Sequence, residues 1–180
     1  MFKNFILTAV AILFISGCGR AEKIARIEQK CANNEAVWCL KLGKTYARRD
    51  INKGVMYYQK ACDLGDKRGC YRLAVLLNSK SINSKKDNET IVKSLTKSCD
   101  LGTPKACFEL GEYYEDDPKM QGKANELFAK SCEQRFGLAC YKLADFYGEK
   151  NDAATQKNYL ELACKYRYKV ACEEIGEDKK

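Results

Sequence analysis

The sequence predicts an all-α fold in which pairs of helices stack into a linear array. A cassette of one cysteine, seven residues and a second cysteine occurs five times, and successive second cysteines are 31, 37, 33 and 32 residues apart. A period of this length, built from two helices, is typical of stacked helical repeats. The 180 residues include only two prolines, which argues against an all-β fold. The five pairs are Cys31/Cys39, Cys62/Cys70, Cys99/Cys107, Cys132/Cys140 and Cys164/Cys172.

Capping residues and stop signals predict where the helices begin and end. Helices are expected over 21–30 and 35–48, and Asp50 is expected to cap the helix that carries Cys62. Gly65 and Gly102 are placed to end helices in the left-handed conformation that glycine tolerates. In the fourth cassette Gln134-Arg135 stand at that position instead.

Two proline dipeptides and one polar stretch mark further boundaries. Thr103-Pro104 and Asp117-Pro118 each predict a helix start, because proline fits the first helical position behind a capping residue. Residues 78–88 are almost without apolar side chains and account for the 37-residue step, so we expect an exposed loop there. Asn151 or Asp152 is expected to cap the helix that carries Cys164.

One helical face repeats the same pattern of large and small residues. Positions three, four and seven residues after each second cysteine share a face of the helix. We expect the large residues to fill a core and the small ones to let the next helix approach closely. The third position holds Leu42, Leu73, Leu110, Leu143 and Ile175, and the fourth holds Gly43, Ala74, Gly111, Ala144 and Gly176. Four residues before the first cysteine stand Tyr58, Leu95, Phe128 and Leu160.

The amino terminus has the features of an export signal. Lys3 precedes an apolar run over 5–15, which is too short for a membrane-spanning helix of about 20 residues. The run ends in Ile15-Ser16-Gly17-Cys18, which resembles the bacterial lipobox. We therefore expect residues 1–17 to be a lipoprotein signal peptide, Cys18 to carry the lipid, and residues 18–30 to form an anchored segment and first helix. The expected location is the outer membrane or periplasm, and secretion after ordinary signal cleavage is the alternative.

The cysteine count agrees with this interpretation. Eleven cysteines are an odd number, and assigning Cys18 to the lipid leaves ten in five equal pairs. An exported chain meets an oxidising compartment, and the constant spacing favours a disulfide within each cassette over the other connectivities. Zinc is the competing use, but the chain has no histidine and no Cys-x-x-Cys. No metal and no cofactor are expected.

Two of the cassettes are similar to those of a known family. Cys62-Asp-Leu-Gly-Asp-Lys-Arg-Gly-Cys70 and Cys99-Asp-Leu-Gly-Thr-Pro-Lys-Ala-Cys107 resemble the cysteine-rich Sel-one-like repeat proteins of the Helicobacter cysteine-rich protein type. The resemblance covers residues 31–176, which leaves a polar tail at 177–180. It implies a right-handed α/α superhelix, a solenoid of antiparallel helix pairs with one disulfide per helix-turn-helix.

The same resemblance implies an alternative function, because members of that family are often described as penicillin-binding or weakly β-lactam-hydrolysing. Ser94-Leu-Thr-Lys97 matches the Ser-x-x-Lys pattern of serine β-lactamases. It falls in a regular repeat helix, however, and neither a Ser-Asp-Asn nor a Lys-Thr-Gly accompanies it. The lack of histidine excludes Ser-His-Asp triads and histidine-bound zinc. The motif is therefore interpreted as structural, and no catalytic residue is assigned.

The preferred function is binding along an inner groove. Positions two and six after each second cysteine lie off the core stripe and are expected to line it. A mixture of basic and aromatic groups suits an extended protein segment or a peptidoglycan-like ligand with a carboxylate. The net charge of +8 is spread among acidic neighbours, so we expect no nucleic acid partner. The membrane is expected to be reached through the lipid, and the protein to be a monomer. The candidate groove residues are Lys41, Arg72, Glu109, Tyr113, Lys142 and Phe146.

Overall fold

A computed structural model of the chain describes residue 19 and residues 21–79 and 85–176. This part of the chain is helical, with short turns and no strand. Helix α1 spans residues 21–32. The following helices are α2 (Ala36–Tyr46), α3 (Ile51–Asp63), α4 (Lys67–Ser79), α5 (Lys85–Asp100), α6 (Pro104–Glu115), α7 (Gln121–Glu133), α8 (Gly137–Glu149), α9 (Ala153–Lys165) and α10 (Lys169–Glu174). Consecutive pairs of helices form repeats 1 to 5, each with one cysteine cassette, as the all-α prediction requires.

Contacts within the chain form two compact units: unit 1 ends at Gly69 and unit 2 begins at Cys70. In unit 1, α2 packs along α3. In unit 2, α6 packs along α7 and α8 along α9. These contacts join one repeat to the next, and they are more extensive than the contacts between the two helices of repeat 3 or of repeat 4. At these three joints the apolar sides of the helix pairs are therefore buried against the next repeat.

The core of each unit follows the predicted stripe. The leucines three residues after the second cysteine are at most 2% exposed in repeats 1 to 4. These residues are Leu42, Leu73, Leu110 and Leu143. Ile175, at the same position of repeat 5, is half-buried.

Small residues at the next position admit large side chains from the following repeat. A Cβ built on Gly111 would lie 2.6 Å from Phe128 Cε1. One on Gly43 would overlap the Tyr58 ring in the same way. Where the position holds Ala74 or Ala144, the next repeat carries leucine instead of an aromatic ring. The size of the residue on one helix is thus matched to the side chain that meets it.

The turn inside each repeat places one residue in the left-handed region. That residue stands three positions after the first cysteine, and its φ lies between +65° and +86°. Glycine adopts this conformation freely, whereas a residue with a Cβ loses about 1–2 kcal/mol there. Gly65 and Gly102 confirm the predicted helix stops. The other three repeats use Asn34, Arg135 and Arg167.

Three predicted boundaries differ from the structure. Helix α7 begins at Gln121, not at Pro118, because the Asp117 side chain accepts from the Lys119 N–H at 2.9 Å and the Met120 N–H donates to the Asp117 carbonyl. This closed turn precedes the helix. Helix α4 extends to Ser79 and α5 starts at Lys85, so residues 78–79 and 85–88 of the predicted loop are helical, and residues 80–84 lie outside the described part of the chain. Polar side chains there indicated exposure to solvent, which the outer turns of a helix provide as well as a loop does.

The caps agree with the prediction in two places and differ in a third. Asp50 accepts a hydrogen bond from the Lys53 N–H and Asp152 from the Thr155 N–H, at 3.0 and 3.1 Å. Thr103 stands at the N-cap position of α6, but its side chain makes no capping bond. Its hydroxyl is buried without a hydrogen-bond partner among the described residues. Pro104 fixes the first turn of α6 in place of the threonine side chain.

Candidate functional site: a polar cleft on unit 2

The disulfides brace the repeats, and most of them belong to the core. Cys31–Cys39, Cys99–Cys107, Cys132–Cys140 and Cys164–Cys172 are bonded, with Cα atoms 4.7–4.8 Å apart. Cys62 and Cys70 are disulfide-bonded as well. The first four cassettes are buried, whereas both cysteines of the last one are half-buried. The lipidation candidate, Cys18, and the signal segment 1–17 lie outside the described residues.

One concavity of unit 2 is a cleft of about 610 Å³ between α4, α5 and α6. Its floor is apolar and includes Ile91 and Leu95. Its walls carry amides and carboxylates, among them Asn78, Asn88 and Glu109. A second depression of about 720 Å³ shares Asn88 and Tyr113 with it. An apolar floor with a few convergent polar groups is typical of a binding site.

Tyr113 lies where the two depressions meet. Its side chain is 50% exposed, which is unusual for an aromatic ring on a packed repeat. The ring contacts Tyr114 edge to face, with centroids 5.4 Å apart. Tyr113 therefore offers an aromatic surface that its neighbour holds in orientation.

Glu109 is positioned by a tyrosine from the preceding repeat. The Tyr71 hydroxyl donates to Glu109 Oε1 at 2.6 Å, and Lys105 Nζ lies 3.9 Å from the same oxygen. Burial and the acceptor Glu109 raise the pKa of Tyr71 well above its usual range, so the phenol remains a donor at physiological pH. This bond holds one carboxylate oxygen at the cleft wall.

Glu112 lies one helical turn from Glu109 and adds a second carboxylate to the cleft. Partial burial raises the pKa of Glu112; Lys142 opposes the shift, and the neighbouring carboxylates of Glu115 and Glu109 reinforce it. The cleft wall is thus crowded with negative charge. A cation that entered would relieve the repulsion between these carboxylates.

The acidic character continues along unit 2. Lys142 Nζ is bound by both oxygens of Glu115, at 2.9 and 3.0 Å, so its charge is largely neutralised. Asp145 follows one turn later, and burial together with Glu174 raises the pKa of its carboxyl. Asp145 thus adds one more carboxylate on the neighbouring repeat.

The remaining predicted groove residues are divided between the units. Phe146 is half-buried, and Lys150 Nζ lies 5.6 Å from its ring centroid. Arg72 is exposed on α4. Lys41 belongs to unit 1, where its ammonium lies 4.7 Å from the Trp38 ring centroid. Of the predicted set, only Glu109 and Tyr113 line the cleft of unit 2.

Sequence reasoning missed several cleft residues. Asn78 and Asn88 were assigned to a loop and Glu112 was not considered. Glu112 could have been found, because it follows Glu109 by three residues and therefore shares its face. The two asparagines could not, because their positions depend on how far α4 and α5 extend.

The serine of the β-lactamase-like motif is inaccessible. Ser94 lies within α5 and is 3% exposed, so its hydroxyl faces the core of unit 2. In the described part of the chain, no helix is long and apolar enough to span a bilayer. Nor do these residues group three His, Cys, Asp or Glu side chains in an arrangement that could hold a metal ion.

A family model of the Sel1 repeat matches residues 32–66, 104–136 and 137–166, which is more than half of the chain. The chain belongs to the Sel1 repeat family. Sel1 repeats are scaffolds for protein–protein interaction, and membership of the family gives this chain that general role. The resemblance found in the cassettes is thereby confirmed.

Solved structures agree with the Sel1 assignment. A Sel1 repeat protein from Oxalobacter formigenes is 17% identical, with a TM-score of 0.69, over 86% of this chain and 68% of that one. A protective antigen of uropathogenic Escherichia coli with an SLR fold is 20% identical, with a TM-score of 0.70. The match covers 86% of this chain and 35% of the antigen. These two likenesses show the fold.

A third similar structure is that of a cysteine-rich protein. Cysteine-rich protein B of Helicobacter pylori is 26% identical, with a TM-score of 0.54, over 69% of this Sel1 repeat chain and 94% of that protein. Among curated proteins, no sequence matches this chain significantly.

Proposed function

We propose that this protein is an exported, lipid-anchored Sel1 repeat protein that holds an extended segment of a partner protein in the cleft of unit 2. The observation that carries the proposal is the cleft itself. It combines an apolar floor, an exposed Tyr113 and two carboxylates, Glu109 and Glu112, of which Glu109 is held by the Tyr71 hydroxyl. Extended segments bind such grooves through alternate side chains, and the polar groups of the walls set their register.

The charge of the cleft favours a basic segment. The sequence predicted a ligand with a carboxylate, from a mixture of aromatic and basic groove residues whose cations are Lys41, Arg72 and Lys142. Lys142 is already paired with Glu115, and the raised pKa of Glu112 reflects its own burial first and then carboxylate crowding. A lysine or arginine of the partner would complete the charge balance, and an arginine would also stack on Tyr113. A peptidoglycan-like ligand is the less complementary alternative, because its carboxylates would meet the same negative wall.

The proposed route to the envelope rests on the cysteines. Disulfide bonds in all five cassettes are typical of a protein in an oxidising compartment, and Cys18 follows a signal-like run. Lipid attachment at Cys18 would present the repeats as a monomer on the membrane surface. Metabolic labelling with a fatty acid tests this step: Cys18→Ala should abolish the label, and incorporation into that variant would disprove the assignment.

Binding is tested with labelled ten-residue peptides by fluorescence anisotropy. We expect the oxidised protein to bind an arginine- and leucine-containing peptide, and its glutamate counterpart at least tenfold more weakly. Tyr113→Ala and Glu112→Gln should each weaken the basic peptide by about tenfold. The matched control is Glu161→Gln, which removes an exposed carboxylate from α9 that pairs with Lys157. Equal affinity for both peptides, or unchanged affinity in both cleft variants, would refute the proposal.

A further inference from the structure

The turns of repeats 4 and 5 form a further concavity, with the opposite charge. Arg135, Lys165, Tyr166 and Arg167 line a cleft of about 400 Å³ on unit 2. Three of these four residues are cations, and no carboxylate is among them. In the described part of the chain, none of the three cationic side chains forms an ion pair or a side-chain hydrogen bond.

Close packing of the two turns brings these cations together. A Cβ on Gly137, at the start of α8, would lie 3.0 Å from the carbonyl oxygens of Ala163 and Tyr166 and 3.0 Å from Tyr168 Cβ. The turn of repeat 5 is therefore seated against the residues that follow Arg135. A side chain at 137 would force these atoms apart by a few tenths of an ångström, so glycine favours the close approach of the two turns.

The backbone conformation at two of these cations disfavours any residue with a side chain. Arg135 and Arg167 occupy the left-handed position of their turns, with φ of 66° and 65°, where repeats 2 and 3 use glycine. A side chain is strained at such an angle, and strain that persists is commonly found at functional sites. No contact in the described structure requires either guanidinium.

The residue directly after the first cysteine also changes from an acid to a base in repeat 5. Repeats 2, 3 and 4 carry Asp63, Asp100 and Glu133 there, and repeat 5 carries Lys165. In repeat 3 the acid is used structurally, since Lys130 Nζ binds Asp100 Oδ1 at 2.8 Å. Replacing that acid by lysine in repeat 5 leaves a positive charge next to two others.

We propose that this cleft binds a phosphate-bearing anion. Guanidinium groups recognise phosphate oxygens in pairs of parallel hydrogen bonds, and three cations match the charge of a phosphate monoester or a diphosphate. The Tyr166 hydroxyl supplies a further donor from the same wall. The phosphate could belong to a soluble ligand or to a lipid headgroup, because the three cations meet the same oxygens in both.

The test measures binding of inorganic phosphate and pyrophosphate to the oxidised protein by isothermal titration calorimetry. In parallel, flotation measures binding to phosphatidylglycerol vesicles, with phosphatidylcholine vesicles as the neutral reference. Pyrophosphate should bind more tightly than phosphate. Arg135→Gly and Arg167→Gly should each weaken pyrophosphate by at least tenfold while the melting temperature rises, since glycine relieves the left-handed strain. Lys165→Gln should weaken it severalfold.

Two further variants separate charge from conformation. Arg135→Asn keeps a residue that tolerates the left-handed region but removes the charge, and it should bind as poorly as Arg135→Gly. Lys119→Gln is the matched control, because Lys119 precedes α7 whereas Arg135 follows it, about 20 Å away along a 13-residue helix. It should bind as the parent protein does.

The outcomes discriminate the two sources of phosphate. Binding of pyrophosphate that the arginine variants lose supports a soluble ligand, and binding of phosphatidylglycerol vesicles alone, lost in the same variants, supports a headgroup. Absence of both kinds of binding in the parent protein would overturn the proposal. So would unchanged binding in a variant that combines Arg135→Gly, Lys165→Gln and Arg167→Gly.

Discussion

Repeats 3 and 4 follow one another in unit 2 and carry the same kind of cassette, yet they differ at the joint with the next repeat, in the turn and on the second helix. At the joint with the next repeat, repeat 3 places Gly111 against Phe128, whereas repeat 4 carries alanine where the following repeat has leucine. In the turn, Gly102 is replaced by Arg135. Two residues after the second cysteine, Glu109 is replaced by Lys142.

These differences are of two kinds. The change at the joint is compensated, because a smaller residue on one helix accompanies a larger one on the next. The change in the turn is not compensated within the fold, since arginine adopts an angle that suits glycine. A compensated change preserves the packing of the core. An uncompensated change indicates that the residue serves a role other than packing.

The largest expected effect concerns what the two repeats have in common. Removing the disulfide of repeat 3 by Cys99→Ala with Cys107→Ala should lower the free energy of unfolding by about 2–3 kcal/mol, the chain-entropy value for a nine-residue loop. The equivalent pair in repeat 4, Cys132→Ala with Cys140→Ala, should lose the same amount, because its loop is equally long and its two cysteines are buried as well. Urea denaturation measures both.

Reduction of the intact protein provides the control. Under native conditions, thiol labelling should begin at the half-buried Cys164–Cys172 bridge. A thermal midpoint that does not change after verified reduction of all five bridges would contradict a stabilising role.

The joint gives the next largest effect. Gly111→Ala should cost about 2 kcal/mol, because overpacking costs about 1–3 kcal/mol and the added Cβ meets a ring that is already held by Phe108 at 5.5 Å. Combining it with Phe128→Leu should restore at least half of that loss, which a double-mutant cycle measures. The reciprocal change in repeat 4, Ala144→Gly with Leu160→Phe, should be tolerated. Additive losses in the first cycle would show that the two positions are not matched.

This pairing shows how far the sequence alone reaches. The spacing of Leu110 and Gly111 after Cys107 identified the core face and the close approach of helices, since both follow from helical periodicity. The turn residue Arg135 was recognised only as a departure from Leu-Gly, because a sequence pattern does not report φ. The cleft depends on where α4 ends and α5 begins, and polar residues in that stretch are compatible with either a helix or a loop. The signal segment and Cys18 remain predictions.

A swap of turn residues should have a smaller effect, in opposite directions. Arg135→Gly should stabilise repeat 4 by about 1 kcal/mol, because glycine adopts the left-handed angle without a Cβ clash. Gly102→Arg should destabilise repeat 3 by a similar amount. Thermal unfolding of both variants measures the difference. Loss of stability in Arg135→Gly would show that the arginine side chain contributes a contact to the fold.

The smallest effect concerns the carboxylates that both repeats share at one position. Glu112 and Asp145 each stand five residues after the second cysteine. Burial first, and then neighbouring carboxylates, raise the pKa of each above its ordinary value, while Lys142 opposes both shifts. A carboxyl with a raised pKa binds its proton more tightly in the folded chain than in the unfolded one. Stability therefore falls as the pH rises from the ordinary pKa through the raised one.

Glu112→Gln should remove this slope and leave the protein slightly more stable at pH 7. The gain should be less than about 1 kcal/mol, because the side chain of Glu112 is mostly exposed. Asp145→Asn should act alike, and Lys142→Gln should steepen the slope. Urea midpoints between pH 3 and pH 7 measure it, and a parent protein that gains stability relative to Glu112→Gln across this window would reverse the assignment of Glu112 as a crowded carboxylate.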